Sequence, residues 1–214
     1  MAEGDALDAR RLCARRGHAT LFRNVGFAIG AGEGIVVTGP NGSGKTTLLR
    51  MLAGLTAPSE GEIRWRGEPV SPFDARLRAA VAFNGHPPAL KDELTPAENL
   101  AAWIALDGRG ASAAEIAAAL DAVALGRQRA LPVRVLSQGQ RRRIGLARLR
   151  MVRHPLWILD EPVTALDAEG SVILGDVLAA HLQRGGLCVA ASHQPLPLAG
   201  ARLRSLALAP ALAP

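Results

Sequence analysis

The sequence predicts an α/β fold: a mainly parallel sheet covered by helices, with a small antiparallel β lobe and an α-helical subdomain. Three observations predict it. Short apolar or β-branched runs alternate with helical patterns, the order that gives parallel strands joined by crossover helices. The first two strand-like segments have no helix between them, so they pair as an antiparallel lobe. The stretch from Thr95 to about Leu131 is rich in alanine and leucine and carries two helix-start signals, which marks a helical insertion.

The elements follow in order. Apolar residues around Leu12 and from Leu21 to Ile29 read as two short strands. Gly30 to Gly34 makes a turn, and Ile35-Val36-Val37-Thr38 is a β-branched run of the buried-strand type. A glycine-rich loop leads into a helix from about Lys45 to Ala53. Glu62 to Arg66 alternates and reads as a half-exposed strand closed by Gly67, and Val81-Ala82-Phe83 is a further strand candidate. Thr95-Pro96-Ala97-Glu98 is a capping box with proline at the first helical position, and Ser112-Ala113-Ala114-Glu115 is a second box. Ser137 to Arg153 is a helix, Leu156 to Leu159 a buried strand, Asp167 to Gln183 a helix and Leu187 to Ala191 the last core strand.

Composition narrows the function classes. The 214 residues suit one domain with a sizeable core, and 49% hydrophobic with 21% charged residues excludes a mainly disordered chain. No window approaches the ~18 consecutive apolar residues of a membrane span. The first residues carry Glu3, Asp5 and Asp8 without an apolar segment, so no secretory signal is expected. Cys13 and Cys188 lack metal-ligand spacing and read as reduced core thiols. The net charge is +6, and all but two of the 25 basic residues are arginine. With tyrosine absent and alanine abundant, the charge reads as compositional bias before it reads as a nucleic-acid surface.

Gly39-Pro40-Asn41-Gly42-Ser43-Gly44-Lys45-Thr46 fits the phosphate-loop pattern G-x-x-x-x-G-K-[ST] in full. Its glycines let backbone N–H groups turn toward phosphate oxygens. Lys45 supplies a point charge for the β- and γ-phosphates, and the Thr46 hydroxyl is a Mg²⁺ ligand candidate, with Thr47 beside it. A strand precedes the loop and a helix follows, whose positive end faces the anion. The motif implies a nucleoside triphosphate without saying what its energy drives. Leu156-Trp157-Ile158-Leu159-Asp160-Glu161 adds four apolar residues and two carboxylates. A buried strand would deliver Asp160 beside the phosphate loop to hold Mg²⁺, with Glu161 near the γ-phosphate to orient water or accept its proton.

Leu136-Ser137-Gln138-Gly139-Gln140 resembles the signature motif of ABC-type ATPases, with Gln138 where glycine is commoner. Ser137 and Gln140 also form a capping box, so the helix start offers N–H groups, a hydroxyl and a positive dipole end to an anion. Thr164-Ala165-Leu166-Asp167 resembles the family's D-loop, and His193 its switch histidine. The resemblance covers nearly the whole chain. It implies a P-loop NTPase of the ABC nucleotide-binding type, with a RecA-like core at about 7–82 and 135–214 and a helical subdomain at about 83–134. It further implies ATP and Mg²⁺ as cofactors. Two copies would sandwich two nucleotides head to tail, with Ser137, Gly139 and Gln140 of one copy meeting the γ-phosphate held by the other.

Two departures carry information. His86 stands where the family has a glutamine that reaches Mg²⁺ and the attacking water. Neutral imidazole can take that place and imidazolium cannot, so activity is expected to fall as pH drops through about 6.5. No aromatic residue stands where the family stacks one on adenine; Arg15, Arg16 and His18 are the local candidates. Gly85-His86, Glu93 to Leu100, Leu156 to Pro162 and Ser192-His193-Gln194-Pro195-Leu196 together resemble the ATP-binding subunit of the cytochrome c maturation system, also labelled the haem exporter ATPase. Pro87 departs from that family's pattern.

The resemblance implies an ATPase that powers separate transmembrane permease subunits from the cytoplasmic face of a bacterial inner membrane. The helical subdomain and the loop from His86 to Lys91 would form the groove for the permease. The process would be haem export or energy-coupled release of a haem-loaded chaperone. With no Cys-x-x-Cys-His motif, direct haem binding is not predicted. Another small-molecule ABC exporter stays open, as does a nucleic-acid ABC ATPase, although that class usually carries two fused ABC domains or a long coiled-coil insertion.

Overall fold

The computed structural model describes residues 6–85, 88–198 and 203–209. Two sheets carry the architecture. In the first, β1 (Leu7–Arg16) and β2 (Ala19–Ile29) turn at Gly17-His18 and pair antiparallel from Leu7↔Ile29 to Arg16↔Ala19. β4 (Glu60–Trp65) pairs antiparallel with the other edge of β1, and β5 (Glu68–Val70) closes the order β2-β1-β4-β5. This is the small antiparallel lobe the sequence predicts.

The second sheet has the order β6-β7-β8-β3-β9. Its strands are β6 (Val81–Asn84), β7 (Leu156–Asp160), β8 (Leu187–Ala191), β3 (Gly34–Thr38) and β9 (Leu203–Ala207), all paired parallel. Every residue of β7 and β8 is buried, because helices or the other sheet cover both faces. That explains their continuous apolar runs. The sequence reading ends the sheet at Leu187–Ala191; the structure corrects this by adding β9 beside β3. β9 is an edge strand with exposed Arg204 and Ser205, so it lacks the apolar run by which its neighbours are read. Two short elements also escape that reading: β5 and α2 (Ala75–Ala80), the latter capped by Asp74, which accepts from Arg76 N at 2.8 Å.

One core layer lies between the sheets and takes Leu48, Leu49 and Leu52 from α1 (Lys45–Leu52), together with Leu12, Phe22 and Ile158. The opposite layer is built by α3 (Pro96–Leu106), α4 (Ala113–Asp121), α5 (Gln138–Met151) and α6 (Ala168–Gln183). The predicted capping boxes of α3 and α4 form, with Glu98 and Glu115 reaching back to Thr95 and Ser112. Cys13 and Cys188 are buried and free, and burial pushes the Cys188 thiol up to about 12. Among the described residues no helix is long and apolar enough to cross a membrane.

His181, on α6, stacks flat on Trp157 of β7 with ring centroids 3.7 Å apart. Its Nε2 donates to Leu187 O at 3.0 Å, and burial pushes its pKa down from 6.5 to about 4. Between those values only the unfolded chain takes up the proton. The stability contributed by neutral His181 is complete above pH 6.5 and is lost as pH falls toward 4. The unfolding free energy should therefore drop by up to about 1.4 kcal/mol per pH unit in that window. Urea titrations at several pH values check this: His181→Gln should flatten the slope, and an unchanged slope would assign the loss to other groups.

Candidate functional site

The loop between β3 and α1 is shaped by backbone that only glycine adopts readily. Gly39 and Gly44 have φ of 145° and 95°. A Cβ on Gly39 would lie 2.5 Å from Leu208 O, and one on Gly44 would lie 2.9 Å from Phe22 Cδ1. Gly44 is also the N-cap of α1 and brings no side-chain cap, so the first N–H groups of that helix stay available to an anion. Lys45 is buried, and its Nζ donates to Gly39 O at 2.8 Å and Pro40 O at 3.1 Å. Ser43 Oγ is buried without a hydrogen-bond partner. A buried hydroxyl and several uncapped N–H groups around one concave loop fit an oxyanion ligand. Gly44→Ala should cost about 1–3 kcal/mol of stability through the left-handed φ and the Phe22 contact, and weaken nucleotide binding as well. Chemical unfolding paired with nucleotide titration checks both parts.

β7 ends at Asp160, which is 5% exposed. The Thr46 hydroxyl donates to Asp160 Oδ2 at 2.9 Å, so the phosphate loop and the strand end meet directly. Burial pushes the Asp160 carboxyl pKa up and Glu161 adds to the rise, while the Thr46 bond, Arg142 and Lys45 pull it down. Thr46 and Asp160 form a pair of hard oxygen donors, the type Mg²⁺ takes. Mg²⁺ typically uses one or two protein ligands and leaves the rest to phosphate and water. No cluster of three or more His, Cys, Asp or Glu forms among the described residues.

Glu161 follows with φ of 50°, a strained value for a side chain of its size. Its N–H donates to Ala191 O at 2.9 Å, which fixes the turn to the end of β8. Its Oε1 lies 3.4 Å from His193 Nε2, and its Oε2 accepts from Thr164 Oγ1 at 3.4 Å. His193 is presented by a tight turn in which buried Ser192 donates to Gln194 O at 2.7 Å and accepts from Gln194 N at 3.1 Å. These groups share a cleft of about 630 Å³. Asn41, Gly42, Gly44, Lys45, Thr46 and Thr47 line it from the loop, and Asp160, Glu161 and His193 line the facing wall. Gly39, Pro40 and Ser43 of the same loop are not among its lining residues.

α5 opens on Ser137, whose hydroxyl accepts from Gln140 N at 3.2 Å while Ser137 N donates to Gln140 Oε1 at 3.0 Å. Both Ser137 and its helix start face outward, and Ser137, Gly139 and Gln140 are not among the residues lining the cleft.

The model of the ABC transporter family matches residues 22–164. The cytochrome c biogenesis ATP-binding export protein CcmA 2 of Cupriavidus metallidurans is 44% identical over 92% of this chain and 93% of its own length. The corresponding protein of Rhizobium johnstonii is 46% identical over 90% of each chain. The chain belongs to the ABC transporter ATP-binding family, in its cytochrome c biogenesis branch. The solved structure of an ABC transporter ATP-binding protein from Pyrococcus furiosus superposes with a TM-score of 0.80 at 25% identity, covering 94% of this chain and 96% of that one.

Within this ABC ATPase the structure brings phosphate loop, Asp160, Glu161 and His193 together, and leaves the Ser137 helix start apart from them in the single chain. His86 and Pro87 lie outside the described residues. Of the adenine-stacking candidates only Arg16 lines the cleft, beside Leu21, which no motif singles out. Thr164 and Gln194 also line it; the D-loop pattern marks the first, and Ser192-His193-Gln194 flanks the second. A second cleft of about 760 Å³ lies where α3 and α4 meet the chain before β7 and β8. Its Arg150 and Arg184 stand at the C-terminal ends of α5 and α6, where the helix dipole favours cations, so their presence needs no ligand.

Proposed function

We propose that this ABC ATPase is the ATP-hydrolysing subunit of a membrane complex in c-type cytochrome biogenesis. It binds Mg-ATP in the 630 Å³ cleft and works as a homodimer on the cytoplasmic face of the bacterial inner membrane, beside separate permease subunits. The observation that carries the reading is the hydrogen bond from Thr46 to Asp160, which closes the phosphate loop onto a strand end bearing a second carboxylate. Family membership and the names of relatives supply the pathway; the geometry supplies the chemistry.

The roles follow from placement. Loop N–H groups from Asn41 to Thr47 and the Lys45 ammonium hold the β- and γ-phosphates. Thr46 and Asp160 would hold Mg²⁺, which when bound neutralises phosphate charge. Glu161 orients the attacking water and accepts its proton, and His193 senses the γ-phosphate from the same wall. Ser137, Gly139 and Gln140, which do not line this chain's own cleft, complete the site of a second copy. His86 remains the candidate to reach Mg²⁺ and water from the loop after β6, and the permease groove is assigned to the helical subdomain at about 83–134.

Affinity purification from detergent-solubilised membranes tests the partnership. The reading expects cytochrome c maturation membrane proteins to co-purify and to be retained by Lys45→Ala. Recovery of an unrelated permease would move the protein to a different exporter, and a steeply salt-dependent affinity for DNA or RNA would favour the nucleic-acid class.

A further inference from the structure

One buried arginine ties the start of α5 to the loop Thr164–Asp167. The Arg143 side chain is 6% exposed. Its Nη2 donates to both carboxylate oxygens of Asp167, at 2.5 and 2.6 Å, and its Nη1 donates to Glu169 Oε2 at 2.8 Å. Asp167 is at the same time the N-cap of α6, accepting from Gly170 N at 2.8 Å. The backbone of α5 touches the same loop, since a Cβ on Gly139 would lie 2.9 Å from Ala165 O. At its other end the loop reaches Glu161 through the Thr164 hydroxyl, 3.4 Å from Oε2.

The segment between these anchors is strained. Glu161 and Ala165 both hold positive φ, 50° and 63°. Side-chain-bearing residues keep such values only where the surroundings over-determine them. Glu161 N on Ala191 O anchors one end. The Arg143 fork anchors the other.

We propose that Arg143 is a positioning residue for ATP hydrolysis. It holds the loop Thr164–Asp167, and through Thr164 the Glu161 carboxylate, in register with the helix start led by Ser137. The inference rests on the reading of Glu161 as the group that orients water. A plain stabilising ion pair between α5 and α6 is a weaker account. The Asp167 and Glu169 side chains are 63% and 64% exposed, so their attraction is screened while the guanidinium still bears its desolvation. What a planar guanidinium adds in that setting, with Nη2 on Asp167 and Nη1 on Glu169, is direction. Direction matters here because a misplacement of about 1 Å costs about 10²-fold in rate.

The test uses the intact chain with Arg143→Ala and Arg143→Lys. Arg143→Ala should lower kcat at least about tenfold while KM for ATP stays within about twofold, because the phosphate loop is untouched. Amide hydrogen exchange should speed up across residues 162–167 and stay unchanged across 45–52. Arg143→Lys, which keeps the charge but lacks the two planar Nη donors that reach Asp167 and Glu169 together, should fall between wild type and Arg143→Ala. Asp167→Asn added to Arg143→Ala should cost less than about twofold more, since the pair acts as a unit. A kcat within twofold of wild type in both variants overturns the proposal. So does a loss in which kcat, KM and melting temperature move together and Arg143→Lys restores nothing. Glu161→Gln is measured alongside. Full turnover there overturns the relay to Glu161, while the exchange data still report whether Arg143 sets the loop.

Discussion

Glu161→Gln is expected to bind Mg-ATP, to hold two copies in a closed dimer and to lose turnover by about 10²–10⁴-fold, the range a positioned general base contributes. The amide keeps the size of the carboxylate and its contacts to Thr164 and His193, so the cleft stays formed. What it loses is the capacity to accept a proton from water. Because Thr46, Lys45 and Asp160 are untouched, nucleotide affinity should survive, and ATP that is not consumed should keep the two copies together. Single-turnover hydrolysis and size-exclusion chromatography with and without ATP separate these effects. A variant with near wild-type turnover would remove Glu161 from the chemistry.

Lys45→Ala is expected to abolish function at an earlier step. Hydrogen bonds to charged groups contribute about 1.5–3 kcal/mol, so losing the ammonium should weaken ATP binding by about 10- to 100-fold. The loop itself should also suffer. Lys45 Nζ satisfies Gly39 O and Pro40 O, and alanine leaves both carbonyls without that donor. Melting of the nucleotide-free protein should therefore fall as well, and ATP should no longer raise it. Normal ATP-induced stabilisation would contradict the role given to Lys45.

Much of this site is legible in the sequence because its demands are local. A phosphate loop needs glycines and one lysine within eight residues, and a helix start needs Ser137 and Gln140 three apart. Asp160 and Glu161 are legible only as the end of an apolar run, and their role follows once the phosphate loop is known. The less legible parts depend on distant partners. Arg143 looks like one more arginine in an arginine-rich helix until Asp167 and Glu169, 24 and 26 residues on, fold against it. β9 and β5 are hard to read as strands, because Arg204 and Ser205 break the apolar run of the first and the second is three residues long. The stacked pair Trp157 and His181 is a tertiary contact that no spacing announces.

Under the proposed function, ATP hydrolysed in the cleft drives separate permease subunits that serve c-type cytochrome biogenesis. The central claim is therefore a cellular one. A strain lacking this protein is complemented with wild type, Lys45→Ala or Glu161→Gln, and membranes are assayed for covalently attached haem and for b-type haem. The account predicts that only the wild type restores c-type cytochromes, while b-type cytochromes are normal in every strain. Full c-type maturation with either variant, or equal loss of both cytochrome classes, would contradict it.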